Sequence, residues 1–174
     1  LVASRNHGCR IAEGEIIVTQ DADDLSMPDR FWKILSMQPF QVLYHGAYLN
    51  MWDTQFNCIT RKYLPAEKMD RERILKGQYT NGWYAFKKSV WEKKPFRMET
   101  QYAYDWMAIL DWVFSNYDVK NLNEGLYEYV RHENSASIRF EKEGLRKQSF
   151  EAIKKIMQEE YGQTVDISND ARSR

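Results

Sequence analysis

The sequence of 174 residues has little of several features that mark specialised classes of protein. Its two cysteines, Cys9 and Cys58, are too few for a disulfide scaffold and lack metal-site spacing. The 25 basic and 25 acidic side chains cancel, so no excess charge favours nucleic acid as the main partner. No apolar run approaches the roughly 18 residues of a membrane span, and no secretory signal opens the chain.

Apolar residues are plentiful by contrast. They make up 43% of the sequence, with aromatic residues at 14%, which is enough for one hydrophobic core. A chain of 174 residues fits one domain better than two. Because the sequence opens on Leu1 and not on Met, we expect a piece of a longer protein. The low cysteine content fits a reducing compartment, so we expect the protein in the cytoplasm or at the cytoplasmic face of a membrane.

Apolar periodicity predicts strands that alternate with helices, which is typical of an α/β fold with a mainly parallel mixed sheet flanked by helices. The predicted strands are residues 15–20, 41–52, 81–88 and 126–132. The predicted helices are residues 3–13, 28–37, 66–77, 105–117 and 141–161, with a short helix from Ser89. Ser26 is expected to cap the second helix, with Asp29 completing a capping box. Residues 53–65 are expected to be an irregular connection.

Three acids, Asp21, Asp23 and Asp24, follow the predicted strand EIIVTQ. Ligands of open α/β sheets bind at the carboxyl ends of strands, and alternate residues of an extended segment point the same way. Asp21 and Asp23 would therefore face one point, where their repulsion calls for a cation such as Mg²⁺ or Mn²⁺. The alternative is that Asp24 caps the next helix and the other two are solvated loop acids.

The stretch SRNHGCRIAEGEIIVTQDADDLSMPDRF resembles the nucleotide-sugar core of the family-2 glycosyltransferases with the GT-A fold. In that family an Arg-Asn-x-Gly helix leads through Gly-Glu and a hydrophobic strand to a DADD-type metal motif and a proline-started helix. The matching residues are Arg5, Asn6, Gly8, Gly14, Glu15, Asp21, Asp23, Asp24, Pro28 and Arg30. Weaker likeness continues through NGWYAFKKSVW, TQYAYDWMAIL and YVRHENSAS. The resemblance implies a partial GT-A catalytic domain over residues 1–140, a packed C-terminal helix over 141–162 and a flexible tail over 163–174.

The same resemblance implies an inverting, metal-dependent glycosyltransferase of polysaccharide or glycoconjugate synthesis. It would move a sugar from a nucleoside-diphosphate sugar, with a UDP-sugar as the expected donor, to a saccharide or lipid-linked acceptor. Mn²⁺ or Mg²⁺ would be held by Asp23, Asp21 and His132. The donor would be bound by Asp21, Asp24, Arg5, Asn6, Arg131 and His132. Two alternatives stay open: Asp24 as a helix cap, and His132 as a structural hydrogen-bonding residue.

On the acceptor side, the resemblance makes Asp105 the general base that takes the proton of the attacking hydroxyl. Its position at a predicted helix start also suits a helix cap, so both roles stay open. Trp83, Tyr84 and Tyr104 are expected to contact the acceptor, with aromatic rings stacking on sugar faces. For Trp83 and Tyr84, packing in the core is the alternative.

Two departures from the family pattern keep other functions open. Tyr104 stands before Asp105, where the family has Glu. The sequence also opens at the helix before the metal strand, without the unit that binds the base and ribose, so this segment is expected to bind free UDP poorly. The alternatives are a non-catalytic binding domain of the same fold and a metal-dependent phosphohydrolase, which would need further paired His or Asp ligands.

Overall fold

The structure is a computed structural model that describes residues 1–53, 57–66, 68–77, 83–132, 140 and 143–167. Its helices are α1 Val2–Ile11, α2 Arg30–Ser36, α3 Arg71–Leu75, α4 Lys88–Lys93, α5 Tyr104–Phe114 and α6 Leu145–Tyr161. Its strands are β1 Ile16–Val18, β2 Leu25–Ser26, β3 Val42–Asp53, β4 Cys58–Leu64, β5 Tyr84–Lys87 and β6 Val119–Arg131. Among these described helices, none combines the length and the apolar character needed to cross a bilayer.

The strands form one mixed sheet in the order β1-β5-β3-β6-β2, with β4 added to β3. Of the described pairings only β3 with β6 is parallel, and the other four are antiparallel. The prediction of a mainly parallel sheet is therefore not confirmed. The reason lies in β5, which runs against both β1 and β3 and separates strands that share one direction.

Two local predictions are wrong. Residues 58–64, expected in an irregular connection, form β4, which pairs with β3 from Ala47↔Leu64 to Asp53↔Cys58. Its side chains are mostly exposed, so no alternation of apolar and polar residues signals the strand. Ser26 lies in β2 and does not cap α2. Asp29 occupies the N-cap position of that helix without a side-chain capping bond, and it pairs with Lys33 one turn later at 2.8 Å.

The sheet has a core on each face. The larger cluster packs Tyr84 and Phe86 of β5 against Phe96 and Trp112. All residues of α5 from Tyr104 to Trp112 are buried, so this helix is covered on every side and not only along one apolar stripe. The smaller cluster lies under α2, with Ile34 packed on Leu43, Ala85 and Leu126.

The C-terminal helix α6 is held on α5 by polar contacts as well as by burial. Arg97 donates to Asp111 of α5 at 2.8 Å and to Glu160 of α6 at 2.6 Å. The hydroxyl of Tyr161 donates to Asp111 Oδ1 at 2.7 Å. Beyond the helix, Val165 is buried, so the described start of the expected tail packs on the domain.

Candidate functional site

The acids lie on a segment that leaves β1 and enters β2, residues 19–26, here called the acidic loop. Asp21 of this loop forms an ion pair with Arg5 of α1. The backbone N–H of Asp21 donates to the hydroxyl of Tyr127 on β6 at 2.8 Å. Arg5 also lies over the ring of Tyr104, 5.0 Å from its centroid. The structure thus places Asp21, Arg5 and Tyr104 together, as three of the predicted site residues.

Asp23 and His132 meet although they are 109 residues apart in the chain. His132 Nε2 lies 3.0 Å from Asp23 Oδ2, and both side chains are well exposed. The sheet brings them together because His132 follows β6, whose partner β2 comes directly after Asp24. This pair is the exposed part of the predicted site.

Unlike Asp21 and Asp23, Asp24 is buried, and its carboxylate faces β6. The N–H of Val130 donates to Asp24 Oδ1 at 2.8 Å. Burial raises the pKa of the Asp24 carboxyl to about 6, while the Val130 amide and the Tyr127 hydroxyl lower it and the other two acids of the loop raise it. The helix-cap alternative for Asp24 is wrong, because β2 intervenes and α2 begins only at Arg30.

The described residues offer an incomplete set of ligands for the predicted Mn²⁺ or Mg²⁺. Across residues 1–132 and 143–167, with their gaps, no group of three or more His, Cys, Asp or Glu side chains could hold a metal ion. Asp21 is paired with Arg5, and Asp23 and His132 remain as a pair. A separation of about 3 Å suits adjacent ligands of an octahedral ion with bonds of about 2.1 Å. The metal site therefore stays a prediction, and two of the described side chains, Asp23 and His132, fit it.

Below the acidic loop lies a buried arginine that the sequence assigned to no site role. Arg30 is fully buried. Its guanidinium donates to the carbonyl of Thr19 at 2.8 Å and to Oε1 of Gln20 at 2.8 Å. It also lies over the Tyr127 ring, 4.6 Å from the centroid. Only the pattern match at Arg30 signalled this residue, because a buried arginine cannot be told from a surface one by periodicity.

His45 of β3 is the second buried polar group beneath the loop. Arg30 Nε donates to His45 Nε2 at 3.1 Å, and His45 Nδ1 lies 2.8 Å from the carbonyl of Gly46. Because Arg30 can only donate, His45 must carry its proton on Nδ1. Burial, together with the charge of Arg30, lowers the pKa of His45 to about 3. These contacts give His45 a structural role beneath the loop.

Asp105 lies in the first turn of α5 and is 4% exposed. Its Oδ1 accepts from the N–H of Trp106 at 2.9 Å. The N-cap position itself belongs to Ala103, so Asp105 is not the capping residue of this helix. A carboxylate in the first turn still benefits from the unpaired N–H groups of a helix start. The role as a base stays a prediction.

The three residues predicted to contact the acceptor are buried. Trp83 is 2% exposed, Tyr84 0% and Tyr104 6%. Trp83 packs near Tyr127 and Tyr129, and Tyr104 meets Phe96 edge-on. None of the three offers a free ring face to a sugar, and the core alternative for Trp83 and Tyr84 matches their surroundings.

Two predicted donor-binding residues differ in their contacts. The side chain of Asn6 is used within the fold: it donates to Phe96 O at 2.8 Å and accepts from Trp91 Nε1 at 2.8 Å and from the N–H of Phe96 at 3.1 Å. These contacts tie α1 to α4 and to the segment after it, so they give Asn6 a structural role. Arg131 lies exposed at the end of β6, next to His132.

The fold is similar to that of S. aureus TarS. A crystal structure of TarS 1-349 has a TM-score of 0.51 and 12% identity, covering 91% of this chain and 52% of that one. A longer TarS structure gives 0.55 and 14%, covering 90% of this chain and 27% of that one. TarS 1-349 in complex with UDP gives 0.50 and 14%, covering 90% and 51%.

The chain thus spans about a quarter to a half of the length of these structures. At 12–14% identity the likeness concerns the fold alone. No protein-family model matches the sequence, and no curated protein matches it.

Proposed function

We propose that this chain is part of an inverting glycosyltransferase that uses a nucleoside-diphosphate sugar, with a UDP-sugar as the expected donor. The observation that carries the proposal is the acidic loop at the end of β1, where Asp23 meets His132 at 3.0 Å. Support comes from the fold, which is similar to that of S. aureus TarS, a glycosyltransferase whose structure is also known in complex with UDP.

The leaving group explains the need for positive charge at this place. Transfer breaks the bond between the anomeric carbon and a phosphate oxygen, and the diphosphate leaves with additional negative charge. Arg131, exposed at the end of β6 beside His132, would stabilise it by charge-assisted hydrogen bonds. Asp21 would contact the ribose or the metal, and its partner Arg5 would lie close to the donor.

A metal ion is part of the proposal. Mn²⁺ or Mg²⁺ held by Asp23 and His132 would supply Lewis-acid stabilisation of the diphosphate. Mg²⁺ is commonly bound through one or two carboxylates together with substrate phosphates and water, so Asp23 is enough to begin such a site, with His132 as the second predicted ligand.

The acceptor hydroxyl requires a base, because its own pKa is far too high for attack at neutral pH. Asp105 would take that proton while the hydroxyl oxygen bonds to the anomeric carbon. A single displacement from the face opposite the diphosphate inverts that carbon. The acceptor would be a saccharide or a lipid-linked molecule, in polysaccharide or glycoconjugate synthesis.

The test uses the full-length protein and two aspartate variants. Binding of UDP and release of UDP from UDP-glucose, UDP-galactose and UDP-N-acetylglucosamine are measured with Mn²⁺ and with EDTA. Asp23→Ala should reduce metal-dependent turnover about 100-fold or more, since it removes stabilisation of the leaving group. Asp29→Ala is the matched control, because Asp29 is an exposed acid at the start of α2.

Each outcome decides between the candidate functions. Turnover that is lost in Asp23→Ala and kept in Asp29→Ala supports the proposal. UDP binding without turnover of any donor would favour the non-catalytic binding domain. If the wild-type protein showed no UDP binding and no turnover, the glycosyltransferase assignment would be overturned.

A further inference from the structure

We propose that Arg30 is the positioning residue of the acidic loop. The proposal rests on the function proposed above and extends it to a side chain that touches no substrate. The guanidinium is 0% exposed, so it acts only through the groups around it. Two chains of contacts lead from Arg30 to the carboxylates of the loop.

The first chain of contacts runs through Gln20. Arg30 Nη1 donates to Gln20 Oε1 at 2.8 Å and to Ser26 Oγ at 3.0 Å. The Ser26 hydroxyl in turn donates to Gln20 Oε1 at 2.7 Å. Gln20 Nε2 then donates to the carbonyls of Asp21 and Asp24, both at 3.0 Å. Through one amide side chain, Arg30 therefore holds both ends of the turn that carries the acids.

The second chain of contacts runs through Tyr127. The Arg30 guanidinium lies over this ring at 4.6 Å, a cation–π distance. The Tyr127 hydroxyl accepts from the N–H of Asp21 at 2.8 Å and lies beside the Asp24 carboxylate. The loop is thus fixed from two sides by groups that Arg30 orders, while Asp23 extends to His132 at the surface.

The charge of Arg30 is also unusual for a buried group. In the described structure its hydrogen-bond acceptors are all uncharged: Thr19 O, Gln20 Oε1, Ser26 Oγ and His45 Nε2. Arg97, by contrast, pairs with two carboxylates. A buried charge without a bonded counter-ion is costly, and here four hydrogen bonds and the facing Tyr127 ring compensate that cost. The nearest acids, Asp21 and Asp24, act on Arg30 through space.

The geometry requires arginine and not merely a positive charge. A planar guanidinium donates in several fixed directions, whereas lysine carries a compact charge that cannot reach all four acceptors. Lysine would keep the positive charge below the loop but would lose the fixed donor directions of the guanidinium. Because transfer depends on small distances between donor and catalytic groups, a loosened loop should lower turnover far more than it lowers binding.

The experiment compares Arg30→Lys with Arg61→Lys in the full-length protein. Arg61 is the matched control, an exposed arginine that also lies over a tyrosine ring, 3.7 Å from that of Tyr48. At a temperature where every variant is folded, Arg30→Lys should lower kcat by about 10- to 100-fold with the KM for the UDP-sugar within about threefold. Arg61→Lys should leave both constants unchanged. Full activity in a folded Arg30→Lys variant would overturn the proposal.

A second variant covers the case in which Arg30→Lys fails to fold. Gln20 is exposed, so Gln20→Ala removes the first chain of contacts without disturbing the core. This variant should keep the wild-type melting temperature and lose about threefold or more in kcat, with KM unchanged. An unchanged kcat in Gln20→Ala would show that the first chain of contacts does not position the loop, and it would overturn the proposal.

A spectroscopic measurement tests the positioning role of Arg30 independently of the proposed glycosyltransferase activity. In the wild-type protein the ¹⁵N signals of His45 should show a neutral ring with the proton on Nδ1, and hydrogen exchange at Asp21 and Val130 should be slow. Arg30→Lys should change the His45 Nε2 signal and speed exchange at both amides about tenfold. If these changes occur in a protein without turnover, only the proposed function fails. If they do not occur, the positioning role is wrong.

Discussion

The acidic loop and the first turn of α5 supply the carboxylates of the proposed reaction, and they are held in different ways. In the loop, Asp23 is exposed and Asp24 is buried, and polar groups fix the backbone from below. In the first turn of α5, Asp105 stands among packed aromatic side chains. Its neighbour Trp106 is fully buried, donates to Ile74 O at 2.8 Å and meets Phe150 edge-on.

This difference indicates how each region should respond to substitution. The loop has little apolar burial of its own, so its geometry depends on a few hydrogen bonds. The α5 turn is placed by the core, where any change of volume is felt. We therefore expect isosteric polar substitutions to separate chemistry from stability in both regions.

The largest effect is expected for Asp105→Asn, which keeps the shape of the side chain and removes the base. Transfer should fall about 10²- to 10⁴-fold, the usual contribution of general base catalysis, with UDP binding retained. Initial rates with a saturating UDP-sugar would measure it. An active Asn variant would assign the base to another residue.

The control for this substitution lies in the same helix. Asp111 is buried and pairs with Arg97 through both carboxylate oxygens, at 2.8 Å each. Asp111→Asn weakens a structural ion pair, so it should lower the free energy of unfolding by about 1–3 kcal/mol and leave kcat of the folded protein unchanged. The two substitutions, Asp105→Asn and Asp111→Asn, thus contrast a chemical role with a structural one inside α5.

The next effect concerns the polar groups beneath the loop and depends on pH. The pKa of His45 is lowered to about 3 by burial and by Arg30, and the Tyr127 ring also faces it. The unfolded chain takes up a proton near pH 6.5 and the folded chain does not. Stability from neutral His45 is thus present above pH 6.5 and lost as the pH falls, by about 1 kcal/mol per unit.

The measurement is the difference in unfolding free energy between wild type and His45→Gln, by urea titration from pH 7.5 to 5. The advantage of the wild type should shrink below pH 6.5. The two proteins must be compared because Asp24 changes the unfolding free energy in the opposite direction over the same pH range. Its pKa is raised to about 6, so the folded protein gains stability as the pH falls from about 6 toward 4. Parallel curves for the two proteins would contradict a buried neutral His45.

The sequence predicted the local parts of this arrangement better than the long-range ones. The acids after β1 and the long strand β3 follow from spacing and apolar runs, and the structure has both. The direction of β5 depends on its neighbours in the sheet, which no local pattern shows. The meeting of Asp23 with His132 was expected only through resemblance to a family.

The predictions that depended on burial could not be decided from the sequence. Trp83, Tyr84 and Tyr104 have the composition of a sugar-binding surface and also of a core, and periodicity could not distinguish the two. Arg30 presented the reverse problem, since a charged side chain is expected at the surface. In both cases the deciding quantity is exposure, which is set by packing from elements distant in the chain.

The smallest effect contrasts the hydroxyl of Tyr84, which lies on β5 in the core packed against α5, with that of Tyr127 beneath the acidic loop. The Tyr84 hydroxyl is buried without a hydrogen-bond partner among the described residues, whereas the Tyr127 hydroxyl accepts from the N–H of Asp21 at 2.8 Å. Removing an unsatisfied buried hydroxyl is neutral or stabilising, and removing a bonded one costs about 1 kcal/mol. Tyr84→Phe should therefore keep or raise the melting temperature, and Tyr127→Phe should lower it. A Tyr84→Phe variant that lost transfer at unchanged stability would return its hydroxyl to the acceptor site.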